Sequence, residues 1–154
     1  MSYKFLSNIS IADVAFDASA KTLEKLFVEC AKAVTNTMVK DLKTVKQSKK
    51  VTVTVEADSV ENLLFNFLNE IVFYKDAKQL LFSGYKIKIN SSEGSKELHK
   101  TKTGETFSLF STFSGEKLNM KKHDLIVDVK AITMHLFEVK HLRNEWTARV
   151  VLDI

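Results

Sequence analysis

Ile11-Ala12-Asp13-Val14-Ala15-Phe16-Asp17-Ala18 alternates with period two, and the chain then switches to apolar residues at three- and four-residue steps: Leu23, Leu26, Phe27, Cys30, Ala31, Val34 and Met38. The first pattern predicts a half-buried strand, with Ala12, Val14, Phe16 and Ala18 on one face and Asp13, Ala15 and Asp17 on the other. The second predicts an amphipathic helix over about 22–39. Residues 40–50 form a lysine-studded connection, after which Val51-Thr52-Val53-Thr54-Val55-Glu56 is β-branched and alternating, as a strand should be. Asp58-Ser59-Val60-Glu61 has capping-box spacing, with Asp58 expected to accept from the backbone at Glu61. Leu63, Leu64, Phe67, Leu68, Ile71 and Val72 supply the stripe of a second helix, on whose face Phe65, Phe73 and Tyr74 read as further core.

Strands follow: Leu80-Leu81-Phe82 with residues 85–89, then 97–103 and 106–113, with Gly94 and Gly104 in turns. Residues 115–124 are polar and irregular. Two long strands, 126–140 and 145–153, close the chain around His141-Leu142-Arg143-Asn144. The expected architecture is α+β and two-layered, with two amphipathic helices packed on a mostly antiparallel sheet, and residues 1–154 forming one domain.

Composition agrees. A chain of 154 residues, 45% hydrophobic and 27% charged, can bury a substantial core, and nothing in it divides two domains. No apolar run approaches the roughly 18 residues of a membrane span, and Met1-Ser2-Tyr3-Lys4-Phe5 lacks the pattern of a secretory signal, so the expected location is the cytoplasm. One cysteine, Cys30, can form neither an internal disulfide nor a cysteine-rich zinc site, and its place in a helix stripe makes it packing. A net charge of +4 argues little for nucleic acid, and the lysines of residues 40–50, with no aromatic among them, read as a solvated connection with at most weak contact to a nucleic acid or protein partner.

Chemistry concentrates at the end of the chain. Trp146-Thr147-Ala148-Arg149-Val150-Val151-Leu152 runs into Asp153 and Ile154, which sets a side-chain carboxylate beside the α-carboxylate. A terminus this apolar is expected to be tied into a sheet, and its neighbouring carboxylates then need a cation or a basic side chain.

Val129-Lys130-Ala131-Ile132-Thr133-Met134-His135, preceded by Gly115-Glu116 and His123 and followed by the closing Leu152-Asp153-Ile154, resembles the archease family. Ala12-Asp13-Val14 with residues 21–27 resembles its first strand and helix, and residues 63–70 its second helix. Two positions depart from the family pattern. Ser10-Ile11-Ala12-Asp13 stands where archeases commonly carry His-Thr-Ala-Asp, and Met134 stands where an aromatic is frequent.

The resemblance implies a small non-catalytic partner of the RtcB-type RNA-splicing ligase, one that speeds formation of the ligase–GMP intermediate in tRNA splicing. It implies a metal site of Asp13, Asp153 and the Ile154 carboxylate, with Lys130 as the functional lysine contacting a partner or a phosphate, and it leaves no residue of this chain catalytic. Three anionic oxygens suit Ca²⁺, Mg²⁺ or Mn²⁺ better than zinc. His123 could support the ligands from behind.

Simpler readings stand beside these. Asp13 and Asp17 could be solvated strand residues, Asp153 with Ile154 could pair with a lysine, and Lys130 could be that counter-ion. His123 could be structural, and His135, sharing a face with Val129, Ala131 and Phe137, reads as a hydrogen-bonded core histidine. Two other functions remain in play. One is a metal-dependent phosphoester hydrolase built on Asp13, His123 and Asp153, although the four glycines at 84, 94, 104 and 115 make no phosphate-cradling loop. The other is a general chaperone or protein-interaction module.

Overall fold

The computed structural model describes residues 1–7, 13–92 and 106–154. The order of elements is β1 (Ser2–Leu6), β2 (Asp13–Ala20), α1 (Leu23–Met38), β3 (Lys49–Ala57), α2 (Val60–Lys78), β4 (Leu80–Ser92), β5 (Thr106–Lys117), β6 (Ala131–Leu142) and β7 (Glu145–Asp153). The α+β class is as expected. The strands divide between two antiparallel sheets, β1-β2-β7-β6 and β3-β5-β4. None of the described helices is long and apolar enough to cross a membrane.

Both helices start where side chains cap them. Thr22 Oγ1 accepts from Lys25 N, and Ser59 Oγ accepts from Asn62 N at 3.1 Å. The second cap therefore lies one residue later than the capping-box reading placed it. Asp58 instead accepts from the Asn62 side chain at 2.9 Å, because Ser59, not Asp58, occupies the last extended position before the helix.

The stripes of both helices meet an aromatic cluster. Phe67 lies 5.5 Å from both Phe27 and Phe113, and Phe113 lies 5.1 Å from Phe82 and 5.2 Å from Tyr85. Each fully buried phenylalanine there contributes roughly 2 kcal/mol through its apolar area. Burial raises the Tyr85 phenol above its ordinary pKa, and its oxygen lies 3.1 Å from Thr35 Oγ1. Phe73, expected in the core, is 55% exposed, because it falls on the flank of α2 that no described strand covers.

Several boundaries differ from the sequence reading. β4 is continuous across Phe82–Gly84, where a bulge shifts its register with β5. β5 extends through Gly115 and Glu116, which the sequence reading had assigned to an irregular segment. A Cβ on Gly115 would lie 1.8 Å from Leu81 O, so only glycine lets the two strands approach there. The 97–103 strand and both of its turn glycines lie outside the described residues.

The closing hairpin is tight. Arg143 and Asn144 both have positive φ, as a two-residue turn requires, and Leu142 pairs with Glu145. β6 starts at Ala131, later than expected, and carries a bulge between Thr133 and Glu138 in which Leu136 adopts φ 55°. That bulge overturns the reading of His135. The alternation that would have buried it is interrupted, and Met134, His135 and Leu136 all face solvent.

Candidate functional site

β2 and β7 run side by side from Asp13↔Asp153 to Ala20↔Trp146. Directly opposite residues in an antiparallel pair project to the same side with Cα atoms about 4.5–5.5 Å apart. Asp13 and Asp153 are such a pair, at the end of the sheet, and the same face carries the buried Ala15 and Val151 in the next row. Like charges directly opposite one another destabilise a sheet unless a cation joins them.

Asp153 is held from both sides, since β7 lies between β2 and β6. It pairs with Ala131 as well as Asp13, and its carbonyl accepts from Lys130 N at 2.8 Å. Ile154 follows immediately, half-buried and packed against the core. The end of the chain is thus tied into the sheet. Asp13, Asp153, Ile154 and the backbone of Lys130 come together at one tip, with the body of Lys130 exposed. Among the described residues no three His, Cys, Asp or Glu side chains form a ready metal cage, so the third donor expected here is the α-carboxylate. Ser10, where archeases carry histidine, lies outside the described residues.

A buried lysine that the sequence reading passed over braces this tip. Lys75, 7% exposed near the C-terminal end of α2, contacts Asp76 and Asp128 at 2.5 Å each and donates to Val129 O at 2.8 Å. Burial opposes its charge, but the hydrogen bonds and charges of Asp128 and Asp76 outweigh that and leave its pKa raised. The segment leading into Lys130 is thereby fixed at Asp128 and Val129 by α2 and at Lys130 by β7. The signal was present in the sequence: Lys75 continues the Leu64, Leu68, Ile71 stripe, where an aliphatic residue would be the default.

His123 belongs to a different network. It is buried, its Nδ1 accepts from Asn119 N at 2.9 Å, and so the proton sits on Nε2, which donates to Glu116 Oε2 at 3.0 Å. Glu116 also accepts from Lys122 Nζ at 2.6 Å and from Lys46 N at 2.7 Å. The Lys122 hydrogen bond, with those from Lys46 and His123, outweighs desolvation and lowers its carboxyl to about 2. The cluster joins the 40–50 connection to the end of β5 and the 119–123 turn, so the observed bonds of His123 are structural. Asp17, read as a solvated residue, is instead clamped by Arg149, whose Nε and second terminal nitrogen donate at 2.8 and 2.9 Å.

Among the described residues the tip is a patch of hard oxygen donors without a nucleophile beside a base, suited to holding a cation or meeting a cationic surface. Comparison with known proteins agrees with the fold and the order of these segments. The family described as "Archease protein family (MTH1598/TM1083)" matches residues 3–154. The chain is 30% identical to "Protein archease" of Pyrococcus furiosus over 144 residues, 93% of each chain. It is 32% identical to that of Methanopyrus kandleri over 143 residues, 93% of this chain and 94% of the relative. The solution structure of Methanobacterium thermoautotrophicum protein 1598 superposes with TM-score 0.74 at 25% identity over 99% of both chains. A Thermotoga maritima crystal structure, described as an archease and possible chaperone, shares the fold at TM-score 0.54 and 18% identity, over 94% of this chain and 93% of that one. This chain belongs to the archease family.

Proposed function

We propose that this protein is a non-catalytic activator of an RtcB-type RNA-splicing ligase, promoting formation of the ligase–GMP intermediate in tRNA splicing through its acidic tip. The observation that carries the reading is the register: Asp13 lies directly opposite Asp153 and next to the terminal residue. Asp13, Asp153 and the Ile154 carboxylate fit a hard divalent ion, Ca²⁺, Mg²⁺ or Mn²⁺, and would hold it through oxygen. Bound there, such an ion supplies positive charge where a histidine attacking the α-phosphate of GTP builds negative charge on oxygen. Lys130, exposed beside the tip, contacts a phosphate or a ligase carboxylate, while Lys75 holds its backbone in place. Contact with tRNA is indirect or weak in this reading, and the expected setting is the cytoplasm.

The test mixes this protein with its own organism's ligase and radiolabelled GTP and follows covalent guanylylation. Wild-type protein should accelerate it, and Asp13→Ala or Asp153→Ala should remove the acceleration with the circular dichroism unchanged. Undiminished acceleration by both variants would refute the acidic-tip mechanism. Release of phosphate from GTP or a phosphoester by this protein plus Mn²⁺ would favour a hydrolase. Suppression of aggregation of unrelated clients, with no effect on the ligase, would favour a chaperone.

A further inference from the structure

The sheet β3-β5-β4 has one face buried and one open. Leu109, Ser111 and Phe113 of its central strand point into the core beneath α1 and α2. The alternate residues of β5 point the other way, and among them Phe110 is 49% exposed at the middle of the sheet. An aromatic ring standing on the central strand of an uncovered sheet is costly in water and has no role in the core.

Its neighbours follow from the strand register. Thr54 and Lys88 flank Phe110 on β3 and β4, and Thr52, Thr112 and Lys86 form the adjoining row. Beyond these rows lie Lys50 with Ser114 at one end, and Glu56, Ser108 and Asn90 at the other. Apart from Phe110 the surface carries lysines, hydroxyls, an amide and a single carboxylate. It extends about 10 Å across three strands and about 20 Å along them.

We propose that this open face binds single-stranded nucleic acid, with a base stacked on Phe110 and the flanking phosphates held by Lys86, Lys88 and Lys50. Charge complementarity favours this occupant. Three lysines against one glutamate suit a polyanion, while the hydroxyls and Asn90 can bond sugar or base edges. A second copy of this chain would bring lysine against lysine. A protein partner seated on a single ring would need a wider apolar rim than threonine and serine provide. The proposal uses neither the acidic tip nor the ligase, so it can fail without affecting the function proposed above.

The experiment is a fluorescence anisotropy titration of a labelled uridine dodecamer with the purified full chain, at several salt concentrations. Wild type should bind, and Phe110→Ala should weaken binding roughly five- to a hundredfold at each salt, the loss of one stacked base. Phe110→Tyr should restore it. Lys86→Ala and Lys88→Ala should each weaken binding and flatten the slope of log affinity against log salt by about 0.7. Lys25→Ala, which removes an equal charge from α1, should leave the dependence on Phe110 untouched. Circular dichroism and the melting temperature verify that each variant is folded. Equal binding by wild type and Phe110→Ala overturns the proposal, as does a dodecamer that fails to bind at low salt. Light scattering that reports a dimer lost in Phe110→Ala would assign the face to a second copy of the chain and also overturn it.

Discussion

Two rows of the same strand pair treat the same chemistry in opposite ways. At Asp17↔Arg149 an acid meets a base and a two-point ion pair forms, and Lys4 and Glu138 continue the row so that charge alternates across all four strands. At Asp13↔Asp153, on the same face with only the Ala15↔Val151 row between, acid meets acid. The scaffold complements a carboxylate from across the sheet in the Asp17 row, and at the tip it sets two carboxylates across from one another. An acid opposite an acid offers two oxygen donors to an external cation, whereas the Asp17 row pairs its charges within the sheet.

The sharpest way to break this contrast is to make the tip resemble the row below it. Millimolar Ca²⁺, Mg²⁺ or Mn²⁺ should stabilise the wild-type fold by about 2.7 kcal/mol at a hundred times its dissociation constant, a rise in melting temperature of several degrees. Asp153→Lys should lose that response while gaining about 0.5 kcal/mol without metal, because the row then pairs opposite charges. Differential scanning calorimetry with and without ion reads both, and a metal-dependent shift that survives in Asp153→Lys would contradict the contrast.

Next in size is the brace behind the tip. Lys75→Met should cost about 2 kcal/mol in urea unfolding, since Val129 O and the two aspartates lose their shared donor, although both aspartates keep contact with water. Glu116 gives a smaller effect that depends on pH. Its carboxyl titrates near 2 in the folded chain against an ordinary 4.5, so the ionised group stabilises the fold fully above pH 4.5 and loses that contribution as pH falls from 4.5 towards 2. Wild type should exceed Glu116→Gln by about 1 kcal/mol at pH 7, a figure reduced for solvent screening, and the difference should vanish near pH 2 in parallel denaturant titrations.

The smallest effect belongs to the complemented row. Arg149→Met should shift the urea-unfolding midpoint very little, since both partners are partly exposed, and should leave guanylylation unchanged. A large loss of ligase stimulation in this variant would mean that the whole outer face, and not the tip alone, is the working surface.

Periodicity located most of the elements, because hydrophobic spacing is a local property of the chain. Thr22 and Val39 bound α1 as expected, and β7 ends at Asp153 as its apolar run indicates. The errors fell where local pattern is silent. Ser111 and Phe110 are neighbours in sequence, yet one is buried and the other open, and only the packing of the helices decides which. The β6 bulge turned His135 outwards although its alternation reads as uninterrupted. Lys75, Glu116 and Arg149 find partners 53, 70 and 132 residues away along the chain, beyond anything a window of residues can report.

The amino-acid sequence alone decided the class of fold, the two helix stripes and the presence of neighbouring carboxylates at the terminus, since these follow from side-chain period and chain order. Only folding in three dimensions decided that Asp13 would stand opposite Asp153, that Lys75 would brace the approach to Lys130, and that His123 would be committed to Glu116. The reason is physical. Register between distant strands is set by the burial of whole faces, and a shift of one residue in β7 would turn Asp153 to the opposite side of the sheet from Asp13.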